Sequence, residues 1–386
     1  MWPTAIEAEK GGEMGLTQEQ IEQLETPCLV IDMDLTKKNI RRMQEAADKA
    51  GCRLRPHVKT HKMPLFAEMQ VKAGASGITC AKVSEAEVMA DGGIEDIFIA
   101  YPMIGNFRIQ RAVGLAKRIK RLILAVDSLE GAKALEQAAS EQDVILEVRM
   151  EIDTGAGRTG VPMDRAAELA LSMKQMKHLK LTGIYTFKSL VLSGKPTEDN
   201  LLAAKEEGQM MAQAAEMLKN AGVEIQDISA GSTPTGIEVA QTGMVNEIRP
   251  GTYIFNDFML TKEKAAHMDE IAVRLYATVV SCHHSQYAVI DGGTKCFPTD
   301  AVPGQPPFYY PGYAAVEGGD NLKLSRMNEE HGILTAANGE TGLHVGQVLS
   351  LIPIHVCTAI NMQNSVYILE NGSLRKQKVD ARGMLI

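Results

Sequence analysis

Short apolar runs alternate with amphipathic stretches over the first two thirds of the chain. The runs fall at residues 29–32, 53–58, 77–81, 96–100, 122–126, 144–150, 179–185 and 224–229. Between them apolar residues recur with the helical period, for example at 35–50, 63–73, 85–92 and 200–221. This alternation is typical of repeated strand–helix units built around a parallel sheet. Eight strands predict a closed (β/α)8 TIM barrel, which we favour over an open doubly wound sheet.

The pattern changes near residue 266. Short runs rich in β-branched and aromatic residues follow at 272–281, 287–290, 348–351 and 365–370, separated by Gly, Pro and Asn and without a long helical period. Such runs indicate strands joined by turns. The sequence therefore predicts an α/β barrel domain at 27–265 and an all-β domain at 266–386, with the proline-rich segment 303–312 as a surface excursion.

The composition of the chain limits the class of binding partner and the cellular compartment that we expect. Hydrophobic residues make up 45% and charged residues 23% of the chain, and 40 Lys and Arg against 48 Asp and Glu give a net charge of -8. Without a long basic run, nucleic acid or an anionic membrane has no complementary surface, so we expect a small-molecule partner. The chain shows no signal peptide, no apolar stretch long enough to span a bilayer, and six cysteines without a CxxC pair. These features predict a cytoplasmic protein with reduced thiols.

A lysine closes the second predicted strand, in the segment 55–62 (RPHVKTHK). The carboxyl ends of barrel strands face the active site, so the side chain of Lys59 is expected at the barrel mouth. Desolvation and neighbouring cations lower the pKa of such an amine and make it a candidate Schiff-base lysine. The alternative is a surface lysine beside two solvated histidines, His57 and His61.

Glycine-rich segments follow three later strands. Residues 151–160 (EIDTGAGRTG) place Arg158 among three glycines, and residues 229–233 (SAGST) and 249–253 (RPGTY) combine glycine with hydroxyl groups. Backbone N–H groups and hydroxyls after the last strands of a barrel commonly bind a phosphate. Ordinary tight turns between strands and helices remain the alternative for each segment.

A histidine and a cysteine stand two residues apart in 355–357 (HVC), after the apolar run 348–354. On an extended strand these side chains share a face, so imidazole and thiolate reach one metal ion. This donor pair favours zinc over magnesium or calcium. A coincidental spacing is the other interpretation, because two ligands make half a site.

Together these segments resemble the fold-type III pyridoxal phosphate enzymes, and within them the D-serine dehydratase and D-threonine aldolase family. Further matching segments are 26–32 (TPCLVID), 80–86 (CAKVSEA), 291–295 (DGGTK) and 330–332 (EHG). The resemblance implies an alanine racemase-like barrel, a β domain that also takes in residues 1–26, and a homodimer with active sites at the subunit interface.

The resemblance also implies roles for individual residues. Lys59 matches the Schiff-base lysine of pyridoxal 5'-phosphate, Arg158 the arginine beside the cofactor ring, and His355 with Cys357 the metal pair. Arg249 is a second candidate beside the pyridine nitrogen. The remaining cofactor-binding positions are the phosphate segments and two flanking residues: Ser232, Thr233, Gly251, Thr252, Tyr253, His57 and Tyr185.

The implied activity is that of a lyase that uses pyridoxal phosphate and a divalent metal on β-hydroxy D-amino acids. Cys357 favours zinc, with manganese as the other metal, and favours the dehydratase members, which form a keto acid and ammonia. Three alternatives stay open: retro-aldol cleavage to glycine and an aldehyde, amino-acid racemisation, and a non-catalytic pyridoxal phosphate carrier. A racemase needs a second acid/base on the opposite face of the cofactor ring, commonly a tyrosine from the β domain of the partner subunit, and the candidates are Tyr287, Tyr309, Tyr310 and Tyr313.

One segment departs from the family pattern. Phe187 and Lys188 follow the seventh predicted strand, where family members usually carry Tyr or His and a short polar residue. Lys188 either binds a second substrate carboxylate, as a hydroxyaspartate-like substrate requires, or is a solvated lysine. His331 is a further candidate for the pocket.

Overall fold

Eight parallel strands form the first sheet of the computed structural model, which describes residues 14–386. A parallel bridge between His57 and Thr79 joins the two ends of this sheet, so the strands close into a barrel. The predicted (β/α)8 fold is therefore confirmed. In spatial order the strands are Arg53–Leu54, Glu247–Ile248, Asp227–Ala230, Leu179–Tyr185, Leu146–Asp153, Arg121–Val126, Asp96–Pro102 and Ile78–Cys80, with the short strand Val161–Pro162 beside Leu146–Asp153.

Helices surround the barrel and bury their apolar faces against its strands. Ile97, Leu124 and Val148 of the strands contact a continuous core that also contains Met89 and Leu135 of the helices. The surrounding helices are Met33–Lys49, Pro64–Lys72, Val83–Asp91, Asn106–Ala116, Leu129–Glu141, Ala166–Lys174, Asn200–Asn220 and Gly236–Gln241. The shorter helices and 3-10 turns are Gln18–Glu22, Val58–Thr60, Met163–Arg165, Thr252–Ile254, Phe258–Lys262, Met268–Glu270 and Val356–Met362.

The second sheet is mainly antiparallel, as predicted for the C-terminal region. Pairing of Val273–His284 with both Tyr287–Ile290 and Val348–Pro353 closes part of it into a small barrel. The strand order is Tyr287–Ile290, Gly332–Ala336, Leu322–Met327, Ala314–Val316, Val348–Pro353, Val273–His284, Cys28–Asp32, Ser365–Glu370 and Ser373–Lys378. A separate hairpin pairs Val191–Leu192 with Lys195–Pro196.

The placement of the first predicted barrel strand is wrong. Cys28–Asp32 pairs antiparallel with Val273–His284 and parallel with Ser365–Glu370, so it belongs to the second sheet. Its place in the barrel is taken by the two-residue strand Glu247–Ile248, which is too short to show a pattern. A strand that is buried on both faces has a continuous apolar run in its sequence, whichever sheet it belongs to. The hydrophobic pattern therefore does not distinguish a barrel strand from a strand of the second sheet.

The described part of the N-terminal segment lies against the second sheet. Met14 and Leu24 contact a cluster that contains Tyr276 and Leu369. Residues 1–13, also assigned to this domain from the resemblance, lie outside the described residues. Within 14–386, no helix is both long and apolar enough to cross a membrane.

Candidate active site

A cavity of about 230 Å³ lies at the carboxyl ends of the barrel strands, where the helix Val356–Met362 meets the barrel. Of the residues to which the resemblance assigns cofactor or metal binding, all except Tyr253 line it: His57, Lys59, Arg158, Tyr185, Ser232, Thr233, Arg249, Gly251, Thr252, His355 and Cys357. The side chain of Tyr253 is buried elsewhere, and its hydroxyl accepts a hydrogen bond from Gln70 Nε2 at 2.9 Å. Chain folding has therefore brought together segments up to 300 residues apart.

Lys59 stands in the 3-10 turn Val58–Thr60, just beyond the end of its strand. Burial lowers the pKa of the Lys59 amine and the cation of Arg158 lowers it further, while Cys357 opposes the shift. Burial and the neighbouring Lys59 also hold the pKa of His57 well below its usual value. His57 Nδ1 accepts a hydrogen bond from the backbone N–H of Lys59 at 3.4 Å. The site thus favours a neutral, nucleophilic amine beside a neutral imidazole.

His61 does not reach the cavity. Its ring is fully buried and makes edge contacts with Phe66 and Phe255. Its Nε2 lies 3.3 Å from the side-chain oxygen of Gln70, and its Nδ1 accepts a hydrogen bond from the backbone of Met63. His61 is therefore a hydrogen-bonded core histidine and not a solvated one, because the chain turns into the 3-10 helix Val58–Thr60 after His57.

Arg158 lies on a loop that needs glycine, since Gly155, Gly157 and Gly160 all have positive φ. Its guanidinium carbon lies 4.5 Å from the centroid of the Phe187 ring. The Nζ atom of Lys59 lies 5.6 Å from the same centroid. Among residues 14–386, no carboxylate approaches Arg158 within ion-pair distance. The Phe187 ring therefore lies against the Arg158 cation and near the Lys59 amine at the cavity wall.

Lys188 does not line the cavity and is not solvated, so its interpretation as a solvated lysine is wrong. Its side chain is buried and forms an ion pair with Glu206 of the helix Asn200–Asn220. Glu206 also accepts hydrogen bonds from the backbone N–H of Ser193, at 3.1 and 3.2 Å. Tyr185 and Phe187 face the cavity, and the alternation of the extended chain turns Lys188 to the opposite side.

Arg249 is fixed by groups on three barrel strands. It donates to Ser229 Oγ at 2.7 Å and to the carbonyl of Thr186 at 2.5 Å. Ser229 in turn donates to Glu247 at 2.7 Å. Burial lowers the pKa of Arg249, which Glu247 opposes, and the guanidinium lies 5.1 Å from the ring centroid of Tyr185. Arg249 is thus held rigidly at the floor of the cavity.

The glycine and hydroxyl segments form a backbone cradle. Thr233 Oγ1 accepts hydrogen bonds from the N–H groups of Gly251 and Tyr253, both at 3.2 Å. A Cβ atom at Gly251 would lie 2.9 Å from the carbonyl oxygen of His57, so a larger residue does not fit. Beneath the cradle the fully buried Glu207, which the sequence did not single out, accepts from Gly231 N at 3.2 Å. Gly231, Ser232 and Thr252 line the cavity beside this cradle, and their hydroxyl and backbone N–H groups are of the kind that bind a phosphate.

His355 and Cys357 are not on an extended strand, contrary to the sequence prediction. The strand ends at Pro353, His355 is the N-cap of the helix Val356–Met362, and Cys357 lies in its first turn. Both side chains nevertheless line the cavity, because a cap residue and the second helical residue point to the same end of the helix. Cys357 Sγ lies 3.1 Å from Thr60 Oγ1 and 3.5 Å from Thr252 Oγ1.

The two groups support each other's charged form. Burial raises the pKa of the Cys357 thiol, but His355, Lys59 and Thr252 together outweigh burial and the net shift is downward. Burial lowers the pKa of His355, but Cys357 and Asp300 bring it well above its usual value. In residues 14–386, no three or more His, Cys, Asp or Glu side chains are arranged to hold a metal ion. The chain therefore offers a pair of soft donors with room for other ligands.

Acidic residues near this pair escaped the sequence analysis. Asp257 is buried, and its two oxygens accept from the backbone N–H groups of Leu260 and Val356, both at 3.0 Å. Glu263 also lines the cavity, and burial together with Asp257 raises its pKa to about 8. Asp300 contacts His355. The only sequence signal was at Asp257, an N-cap residue type directly before a short helix.

His331 and the four tyrosines considered for racemisation do not line this cavity. His331 is exposed in the turn before the strand Gly332–Ala336. Tyr309 is 64% exposed, whereas Tyr310 is buried against Phe308.

Comparison with known proteins matches both parts of the chain. Residues 31–257 match the N-terminal domain of alanine racemase, and residues 272–369 match a putative serine dehydratase domain. The D-threo-3-hydroxyaspartate dehydratase of Delftia sp. (strain HT23) is 34% identical over 354 residues, covering 88% of this chain and 93% of the relative.

Two solved structures are similar over nearly the whole chain. The D-threonine aldolase of Filomicrobium marinum has a TM-score of 0.83 at 28% identity, covering 94% of this chain and 97% of that one. A cysteine-to-alanine mutant of D-threo-3-hydroxyaspartate dehydratase, in the metal-free form, has a TM-score of 0.84 at 32% identity, covering 93% and 98%.

Proposed function

Because the chain belongs to the D-serine dehydratase and D-threonine aldolase family, we propose that it is a pyridoxal phosphate-dependent lyase acting on β-hydroxy D-amino acids. The favoured reaction is loss of the β-hydroxyl group, giving a keto acid and ammonia. The observation that carries this proposal is the meeting of Lys59 with the His355 and Cys357 pair in one cavity.

The cofactor fits the lining of the cavity. Lys59 would hold its aldehyde carbon covalently, and the cradle around Thr233 and Gly251 would bind its phosphate. Arg158 and Arg249 are the cations available to its ring substituents. When bound, pyridoxal phosphate supplies an electron sink for the substrate Cα. The lowered pKa of Lys59 keeps its amine able to accept a proton from that carbon.

The donor pair His355 and Cys357 would hold a divalent cation. A thiolate with an imidazole favours zinc, with manganese as the other candidate. Such a cation supplies Lewis-acid stabilisation of negative charge on a neighbouring oxygen. Two protein donors leave positions open, which suits a site that must also receive the hydroxyl group of a substrate.

Phe187 favours dehydration over aldol cleavage. Dehydration needs a base at Cα, a role that Lys59 can take, whereas aldol cleavage needs a base at the β-hydroxyl group. The Phe187 ring stands at the cavity wall where the family resemblance implies Tyr or His, and a phenyl ring cannot exchange a proton. Retro-aldol cleavage is the second candidate, supported by the similarity to D-threonine aldolase.

Product analysis tests the proposal. The holoenzyme is incubated with D-serine, D-threonine and D-threo-3-hydroxyaspartate, with and without EDTA, and keto acid, ammonia, aldehyde and glycine are measured separately. We expect keto acid with equimolar ammonia, lost on EDTA treatment and restored by zinc. Aldehyde with glycine would instead establish the aldolase. Inversion of the substrate's configuration with incorporation of solvent deuterium at Cα would establish a racemase. No turnover of any substrate would support the non-catalytic pyridoxal phosphate carrier.

Two variants test the roles proposed for Lys59 and Cys357. Lys59→Ala removes the covalent anchor and should abolish the visible absorption of bound cofactor, whichever the substrate. Cys357→Ala should keep that absorption but lose metal-dependent turnover. Lys133→Ala is the matched control, because Lys133 is exposed on the helix Leu129–Glu141 and does not line the cavity. Retention of the cofactor absorption by Lys59→Ala would overturn the assignment.

We also propose that the enzyme is a cytoplasmic homodimer. Tyr101, Ile104 and Phe107 are 39 to 52% exposed and lie at or just beyond the end of the strand Asp96–Pro102, which contributes Ala100 to the cavity wall. An apolar patch beside an active site suits contact with a second copy. All six cysteines are free thiols, as expected in a reducing compartment. Sedimentation equilibrium should give twice the chain mass of 41.9 kDa.

A further inference from the structure

The long segment between the strands Tyr287–Ile290 and Ala314–Val316 brings an acidic side chain to the edge of the metal pair. We propose that Asp300 on this segment is a positioning residue that fixes the His355 ring, so that His355 Nε2 is the nitrogen presented to the metal. This inference rests on the proposed function, since it concerns the same metal pair. It gives the long segment between these two strands a role in the active site.

Two hydrogen bonds carry the inference. Asp300 Oδ2 lies 2.5 Å from His355 Nδ1 and 3.2 Å from the hydroxyl group of Thr358, which donates to it. His355 and Thr358 stand at the cap and in the first turn of the helix that also carries Cys357. One carboxylate therefore restrains both the imidazole ring and the helix turn that presents the thiol.

The segment is anchored close to Asp300 on both sides. Phe297, three residues before it, is fully buried in the core of the second sheet. Ala301 and Tyr310 after it contact Ile354, the residue directly before His355. A loop that is tied down at these points holds Asp300 in a fixed position relative to His355, which a freely moving surface loop could not do.

The chemistry of histidine explains the consequence. An imidazole that donates its Nδ1 proton to a carboxylate has its lone pair on Nε2, and the carboxylate makes that nitrogen a better donor to a metal. Asp300 itself is not placed as a ligand, because residues 14–386 contain no metal-binding group of three His, Cys, Asp or Glu side chains. It acts through His355.

Metal affinity tests the inference directly. The holoenzyme is stripped with a chelator, and zinc affinity is measured by competition with a chromophoric chelator for the wild type, Asp300→Asn, Asp300→Ala and Thr358→Val. Removal of such a partner typically weakens metal binding by roughly 10- to 100-fold. We expect a loss in that range for Asp300→Ala, and smaller losses for Asp300→Asn, whose amide oxygen still accepts a hydrogen bond, and for Thr358→Val.

Three controls separate the outcomes. Asp320→Asn removes an exposed carboxylate from a turn of the same domain and should leave zinc affinity unchanged. Thermal unfolding of the stripped proteins shows whether a variant is folded. His355→Ala gives the zinc affinity that is expected when a metal ligand is lost. Asp300→Ala and Asp300→Asn binding zinc within twofold of wild type would overturn the inference, as would a loss as complete as that of His355→Ala, which would make Asp300 a ligand. A wild type that binds no better than His355→Ala would overturn the proposed metal site itself.

Discussion

The guanidinium carbon of Arg158 lies 4.5 Å from the centroid of the Phe187 ring, on a loop where Arg158 has no carboxylate partner among the described residues. A planar cation over an aromatic face is held by the ring quadrupole and by dispersion. Phe187 therefore holds the Arg158 guanidinium in place without neutralising it. The charge of Arg158 stays available to a ligand in the cavity.

Replacing Phe187 by Leu should weaken cofactor binding. The variant keeps an apolar wall but removes the aromatic face, and an interaction of this kind at an exposed site corresponds to about a 2- to 5-fold change in affinity. Titration of the apoenzyme with pyridoxal phosphate, followed by visible absorption, measures the change. Phe187→Tyr should bind like wild type. In the Arg158→Ala background, Phe187→Leu should have little further effect, and full additivity would contradict the pairing.

The Lys188 and Glu206 pair should respond asymmetrically to substitution. Glu206→Gln leaves a buried ammonium without its counter-charge, whereas Lys188→Met replaces the buried cation with an apolar chain of similar size. We expect Glu206→Gln to lower the thermal unfolding temperature more than Lys188→Met does. Glu216→Gln, exposed on the same helix, is the control and should change little. The reverse order would show that Lys188 is not held by this pair.

Gly251→Ala should disturb the turn that carries Lys59. The added Cβ would lie 2.9 Å from the carbonyl oxygen of His57 and 3.1 Å from Thr60 Oγ1, so the turn or the cradle must move. Overpacking of this kind costs about 1–3 kcal/mol. We expect weaker pyridoxal phosphate binding in the absorption titration. Gly114→Ala provides the comparison, because its Cβ meets open space within a helix and should leave cofactor binding intact.

Acid should destabilise the barrel through Glu247. This carboxylate is fully buried, which raises its pKa, but Arg149 and Arg55 outweigh burial and hold the pKa below its usual value. With the folded pKa below the unfolded one, the stabilisation is complete above the unfolded pKa of about 4.3 and is lost as the pH falls through the folded pKa. Thermal unfolding measured between pH 7 and acid should show this loss.

Glu247→Gln tests the same cluster at neutral pH. The substitution removes the carboxylate that Arg55 and Arg149 share and leaves them Asp96 and Asp227 as counter-charges; breaking a buried ion pair costs about 3–5 kcal/mol. Denaturant unfolding should show the loss, and the acid dependence should become shallower. Glu224→Gln removes an exposed carboxylate and should behave like wild type. An unchanged midpoint for Glu247→Gln would mean that the two arginines are satisfied without it.

The sequence by itself determined the class of fold and most of the site. Apolar runs alternating with helical stretches predict a barrel because each unit must bury one face against its neighbours. Lys59, Arg158 and the 355–357 pair could be singled out because their chemistry is carried by residue type and by position after a strand.

Only the tertiary structure decided which sheet takes Cys28–Asp32, where Lys188 points and what holds His355. Each of these depends on contacts between residues far apart in the chain. A strand buried on both faces has the same apolar pattern in either sheet. The sequence around a lysine does not show whether a carboxylate partner lies near it in the folded chain. The partners of Lys188 and His355 lie 18 and 55 residues away, at separations set by packing and not by any local period.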